Sequence, residues 1–208
     1  MRHVYLHGFA SGPQSRKAQA FRNALLRAGV AEVEIPDLAA GDFEHLTISS
    51  QLGLLERELA NEPVRLIGSS MGGYLAALYA ARHAAVERLV LLAPAFQFPV
   101  RWAESAGPEK MRAWEESGWL EVYHYADQQA RRVHYGLYED ALRYEPNPDF
   151  AQPARIYHGV NDGTVPIGYS REFAAEHPNA VLQELDSDHE LLNVLDWIVG
   201  DAVPFLLE

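Results

Sequence analysis

The sequence predicts an α/β fold, a mostly parallel sheet with helices on both faces, and three observations carry that reading. Short apolar runs rich in β-branched residues alternate with longer runs of helical periodicity along most of the chain. A strand-like run, VRLI, passes through the glycine-rich turn GSSMGG at 68–73 into the small-residue helical stretch GGYLAALYAA. The 208 residues, 48% of them hydrophobic, suit one domain and supply one sizeable core.

The strand candidates are HVYLH (3–7), AEVEIP (31–36), VRLIGS (64–69), RLVLLA (88–93), ARIYHG (154–159) and AVLQEL (180–185). Between the first two, 14–29 has helical spacing: Ala18, Phe21, Leu25 and Leu26 share one face, Ser15 is placed to cap the start, and Gly29 lies past the end. Further helices are predicted over 47–60, 71–83 and 168–177, with a last one from about Glu190 and Pro204 near its end. Six mostly parallel strands in the spatial order 2-1-3-4-5-6 are expected, with a crevice at the switch point between the first and third strands.

One interval breaks this rhythm. Roughly sixty residues separate the fourth strand from the fifth, far more than one crossover needs. The stretch 98–150 holds Trp102, Trp114 and Trp119, three of the four tryptophans, and Tyr123, Tyr125, Tyr135, Tyr138 and Tyr144. It reads as a helical lid insertion at about 97–152 lying over one end of the sheet. Most of its aromatics are expected to pack the insertion's own small core; Trp102 and Trp119 are taken as candidates for substrate binding.

Composition narrows the function classes. Lys plus Arg number 17 against 29 Asp plus Glu, a formal net charge of −12, which repels nucleic acid and anionic membrane surfaces alike. The absence of cysteine excludes disulfides, thiolate catalysis and cysteine metal sites. The opening MRHVYLHGF lacks the apolar stretch of a signal peptide and already reads as the first strand. Apolar runs such as LVLLAPAF at 89–96 are too short to span a bilayer, so a soluble cytoplasmic protein is expected.

Strand, tight turn and helix around G-x-S-x-G form the setting of a nucleophile elbow, in which a strained serine stands above the sheet edge. The positions two before and two after that serine must be very small, because backbones pass close together there. Around Ser70 they are Gly68 and Gly72; around Ser69 they are Ile67 and Met71, whose side chains would collide. Ser70 is therefore the candidate nucleophile. A phosphate-cradling loop is the other use of such a turn, but the lysine of that motif is missing.

A serine hydroxyl needs a base, and nine histidines are available. Reacting groups in an open parallel sheet gather at the carboxyl ends of strands, which selects His189, directly after the last strand. His158 and His7 end strand bodies and are expected to pack there. Asp162, in the loop after the fifth strand, is the candidate carboxylate; Asp186 and Asp188 lie too close to His189 and read as loop and capping residues. The chain order Ser70, Asp162, His189 is the one expected for strand–turn–helix hydrolases. Oxyanion donors are expected from the backbone amides of Met71 and of Phe9, whose side chain is placed to line an acyl pocket.

The segments YLHGFASGPQSRKA (5–18), IGSSMGGYLA (67–76), HGVNDGTVP (158–166) and DSDHEL (186–191) together make the chain resemble an α/β-hydrolase, and within that superfamily the compact bacterial esterases of the YqiA-like group. Many relatives carry histidine where Ser69 stands, so the doubled serine is a specific part of the likeness. The resemblance implies a serine hydrolase of acyl esters or thioesters with Ser70, Asp162 and His189 as triad, no metal and no organic cofactor. The expected partner is a small-molecule acyl ester or thioester. An acyl-CoA thioesterase would want cations near the site, for which Arg16, Lys17, Arg101 and Lys110 are candidates, though each has an ordinary role as solvated charge. A non-catalytic binding protein on the same fold is the reading from another class, and peptidase, C–C hydrolase and lyase chemistries stay open.

Overall fold

The structure, a computed structural model, describes residues 1–208. Its strands are β1 (Arg2–Leu6), β2 (Val64–Ser69), β3 (Val86–Leu92), β4 (Trp119–His124), β5 (Gln129–His134), β6 (Ala154–Gly159) and β7 (Ala180–Leu185). Its helices are α1 (Arg16–Arg27), α2 (Ile48–Leu59), α3 (Met71–Arg82), α4 (Phe98–Ala106), α5 (Pro108–Ser117), α6 (Gly136–Ala141), α7 (Gly168–Glu176) and α8 (Leu195–Leu207). Five parallel strands lie side by side in the order β1-β2-β3-β6-β7, while β4 and β5 pair separately as an antiparallel hairpin.

Because successive strand residues point to opposite faces, the sheet divides the core in two. Val4, Leu6, Leu66, Leu89 and Leu91 join Leu52 and Leu55 of α2 and Leu75 and Leu78 of α3 on one face. Tyr5, Ile67, Val90 and Leu92 join Phe21 and Leu25 of α1 and Ile198 and Leu206 of α8 on the other. Phe21 and Leu25 are fully buried, which is worth about 1.5–3 kcal/mol each relative to exposure. The helices on the two faces are set by local signals as well. Ser15 accepts a hydrogen bond from the Ala18 amide at the start of α1, and Thr47 and Ser50 form a reciprocal capping box on α2.

The predicted strand over 31–36 is reduced to a single bridge, between Glu34 and Val4, so the sheet has five strands and not six. Its place beside β1 is as expected. The Glu34 amide donates to His3 O and the Tyr5 amide to Glu34 O. The next bond of a parallel ladder would come from the amide of residue 36, which is proline and has none.

The stretch between β3 and β6 also departs from expectation, since it carries the β4–β5 hairpin beside helices α4, α5 and α6. Nor does it have a core of its own. Trp114, Val133, Leu137 and Phe150 belong to the same apolar cluster as β1, α2 and α3. The hairpin tip is fastened to the loop after β1, where the Tyr125 amide donates to Ala10 O at 2.7 Å. The last helix begins at Leu195, later than Glu190, after a short 3-10 turn at Leu192–Val194. No helix is long and apolar enough to cross a membrane.

Candidate active site

The turn from β2 into α3 is governed by what cannot fit there. Ser70 has φ 53° and ψ −117°, a left-sided conformation that costs an L residue roughly 1–3 kcal/mol and is held only by its surroundings. A Cβ added at Gly68 would lie 2.6 Å from Gly73 Cα, and one added at Gly72 would lie 2.6 Å from His7 O. Gly68 thus lets α3 approach its own strand, and Gly72 lets α3 approach the end of β1. The second contact brings the loop after β1 against the serine: a Cβ on Gly8 would meet Ser70 Cβ at 3.4 Å. Ser69 is the last residue of β2, pairs with Leu92 and is buried.

Asp162 follows β6 and is saturated with hydrogen bonds. Its Oδ1 accepts the amides of Thr164 and Val165, each at 2.8 Å, and its Oδ2 receives His189 Nδ1 at 2.7 Å and His158 Nε2 at 3.1 Å. Burial alone would raise the Asp162 pKa. The hydrogen bonds from His158 and His189 outweigh it and hold the carboxyl well below the ordinary carboxylate range. An ionised Asp162 accepts only, so Nδ1 of His189 carries the proton and its Nε2 is left free to act as a base.

His189 reaches this position because the loop after β7 crosses tightly over the end of β6. A Cβ on Gly159 would sit 2.5 Å from Asp188 O, and the Asn161 amide donates to Ser187 O. Asp186 and Asp188 act as loop residues, as expected: Asp186 accepts Asn161 Nδ2 and Asp188 accepts the Glu190 amide.

His158 does more than pack. It is fully buried, and its Nε2 faces two acceptors, Asp162 Oδ2 and Val165 O at 2.8 Å, so the proton sits on Nε2. Nδ1 then accepts from the Ser170 hydroxyl at 2.8 Å. His158 therefore clamps Asp162 between β6 and α7. The sequence signal for it was a histidine ending the strand four residues before the acid.

Ser70 and His189 both line a cavity of about 890 Å³, together with Phe9, Met71, Phe98 and Trp102. No Ser70–His189 hydrogen bond is formed. The amides of Phe9 and Met71 stand outside the loop and turn hydrogen-bond network, and Met71 opens α3, where the helix dipole favours negative charge. The Phe9 ring packs between Phe43 and Trp102, at 5.3 and 5.4 Å between centroids. Trp102 in turn meets Phe98 and Trp114, joining the cavity wall to the core beneath. Trp119 is a correction: it does not line the cavity but sits on the hairpin against His45 and His134, with the Arg132 guanidinium 4.2 Å above its ring. Tyr125, Ala126 and Gln128 of the unforeseen hairpin turn do line it. So do all four cations named from sequence, Arg16, Lys17, Arg101 and Lys110.

A model of the uncharacterised protein family UPF0227 matches residues 2–201. Among curated proteins no sequence match is found. Among solved structures, Est1E from Butyrivibrio proteoclasticus with bound ferulic acid superposes at a TM-score of 0.82 with 21% identity, covering 100% of this chain and 88% of that one. The mouse α/β-hydrolase domain-containing protein 10 gives 0.82 at 20% identity over 99% and 90% of the two chains. A monoacylglycerol lipase from Paleococcus ferrophilus gives 0.76 at 18% identity over 99% and 93%. At such identities the likeness establishes the α/β-hydrolase fold.

Proposed function

The chain belongs to the uncharacterised family UPF0227, and from that premise we propose that it is a serine hydrolase of carboxylic esters with Ser70, Asp162 and His189 as its triad. The reading rests above all on one arrangement: a histidine oriented by a buried carboxylate at 2.7 Å opens on the same cavity as a strained serine. On attack, Ser70 Oγ bonds to the acyl carbon while its proton passes to His189 Nε2. The amides of Phe9 and Met71 are placed to take the oxyanion. Collapse breaks the bond to the leaving alkoxide, which takes the proton from His189 and departs as the alcohol. Water then repeats the sequence on the acyl-enzyme, releasing the acid and restoring the Ser70 hydroxyl. His158 holds Asp162 throughout and touches no reacting atom. The Phe9, Phe98 and Trp102 surfaces supply an apolar wall for the substrate.

The same apparatus cleaves a thioester, with a thiolate in place of the alkoxide. A kinetic panel of p-nitrophenyl esters of rising chain length, run beside acyl-CoA thioesters, decides the leaving group and the depth of the pocket. Stoichiometric labelling by a fluorophosphonate probe, lost in Ser70→Ala, is the expected signature of the nucleophile. An unlabelled wild-type protein, or a Ser69→Ala variant that alone is dead, would overturn the assignment.

A further inference from the structure

The cavity's charge runs against that of the whole molecule. The chain carries a formal net charge of −12 and only two lysines, yet both lysines line this one cavity, with Arg16 and Arg101 beside them. Glu190 is the sole carboxylate among the lining residues. Of the thirteen arginines elsewhere, nine hold a carboxylate within 4.0 Å, and none of the four cavity cations does. Arg22, Arg27, Arg57 and Arg112 are also without one, but they are exposed, whereas Lys17 is buried and Arg101 partly so.

Two of the four are at least partly withdrawn from solvent, Lys17 almost fully and Arg101 in part. Lys17 is buried, only 8% exposed, and its Nζ donates a long 3.5 Å hydrogen bond to His189 O. Arg101 donates Nη1 to Thr164 O at 2.7 Å, and its buried Nε has no partner. Both stand one bond from the catalytic loops, since Thr164 itself donates to Asp162 Oδ1. Arg16 and Lys110 are exposed at the cavity's mouth. Burial pushes the Lys17 and Arg101 pKa values down; Glu190, Asp162 and Asp188 oppose this for Lys17, and Tyr169 and Asp162 for Arg101. Desolvated cations without a close partner are a standing cost that an incoming anion removes.

We propose that Lys17 and Arg101 form an anion subsite beside the reacting centre, so that the preferred substrate is an ester bearing a carboxylate or phosphate close to the scissile bond. This rests on the serine-hydrolase reading of the same cavity. The four cations fall into an inner pair and an outer pair, with Lys17 and Arg101 fixed to the His189 and Asp162 loops and Arg16 and Lys110 in solvent. The inner pair recognises the anion, and the outer pair draws it inward against the protein's overall negative field. An acyl-CoA carries its phosphates at the far end of the pantetheine arm, remote from the scissile bond, and so is not the substrate this subsite describes.

The test uses three chromogenic esters. One is neutral p-nitrophenyl butyrate. The second is mono-p-nitrophenyl glutarate, with its carboxylate on the acyl half, and the third is the butyrate ester of 3-carboxy-4-nitrophenol, with its carboxylate on the leaving half. Wild-type protein is expected to favour one carboxylate-bearing ester over the neutral one in kcat/KM, and whichever is favoured tells which half carries the anion. That ratio should fall about tenfold in Lys17→Met and in Arg101→Met, as for loss of a charged hydrogen bond, and Arg101→Lys should restore part of it. A ratio that is the same in wild type and both variants overturns the proposal. Binding of whichever intact carboxylate-bearing ester the wild type favours, read from tryptophan fluorescence in a Ser70→Ala background, separates the two layers of inference. If Ser70→Ala cleaves as fast as wild type, the hydrolase reading fails. If Arg101→Met in that background binds the favoured carboxylate-bearing ester no more weakly, relative to the neutral ester, the anion subsite fails.

Discussion

The turn from β2 into α3 and the stretch between β3 and β6 border the same cavity but are specified in different ways. In the turn, Gly68 and Gly72 admit no side chain, because α3 presses on its own strand and on the end of β1. In the stretch, position is set by long-range aromatic contacts, with Trp114 2% exposed beneath Trp102, Tyr135 and Tyr138. The turn is a local constraint written in small residues, and the stretch is a tertiary one written in large residues whose partners lie elsewhere. The first therefore tolerates almost no change, while the second can vary its wall and keep the reaction.

Breaking the turn gives the largest effects. Ser70→Ala is expected to lower kcat by about 10⁴–10⁶-fold while leaving thermal unfolding within a few degrees of wild type; steady-state kinetics beside calorimetry checks both. Gly72→Ala should act through stability instead. Its new methyl meets backbone oxygen that cannot rotate away, so about 3 kcal/mol or more is lost. In a chain of this length that lowers Tm by roughly 6–12 °C. A Gly72→Ala protein of wild-type Tm would mean that the turn is not held by close approach at all.

His158 extends the comparison to the acid side of the site. Replacing it with alanine removes one of four hydrogen bonds to Asp162 and leaves Ser70 and His189 in place. We expect kcat to fall about tenfold with little change in KM, and His158→Gln to recover part of the loss. The pH dependence has a definite sign. Asp162 titrates well below the ordinary carboxylate range when folded, so its contribution to stability is full above that range. That contribution is lost as pH falls through the range toward the depressed native value. Loss of the His158 bond raises the native pKa, shrinks this contribution, and moves acid unfolding to higher pH, which a circular dichroism titration would follow.

What could be read in the sequence follows the same division. Ser70 was distinguishable from Ser69 because the constraint is adjacent in sequence, and Asp162 and His189 were ranked by their places after strands. The pattern over 31–36 predicts a full strand because apolar spacing shows burial, whereas one missing amide, at Pro36, decides pairing. The hairpin was missed for a local reason too. Its turn places Gln128 at φ 54°, a conformation usually announced by glycine or asparagine, so only the lone Asp127 marks the break between β4 and β5. The role of His158 was hidden because it depends on how the loop after β6 folds back, which spacing alone does not give.

Trp102 and Trp119 provide the finest test, since both were read from sequence as substrate contacts and the structure parts them. Trp102 stands on the cavity wall against Phe9 and Phe98, while Trp119 meets His134 edge-on beneath the Arg132 guanidinium on the hairpin. Trp102→Ala should raise KM about tenfold for longer p-nitrophenyl esters and progressively less for shorter ones, because the lost wall is apolar area that only a longer chain covers. Trp119→Ala removes a half-exposed stacking partner and is expected to change kcat/KM by less than about twofold at every chain length. A chain-length-dependent loss in the Trp119 variant would place the hairpin face, and not the Trp102 wall, along the path of the acyl chain. The stretch between β3 and β6 would then act by moving over the site rather than by lining it.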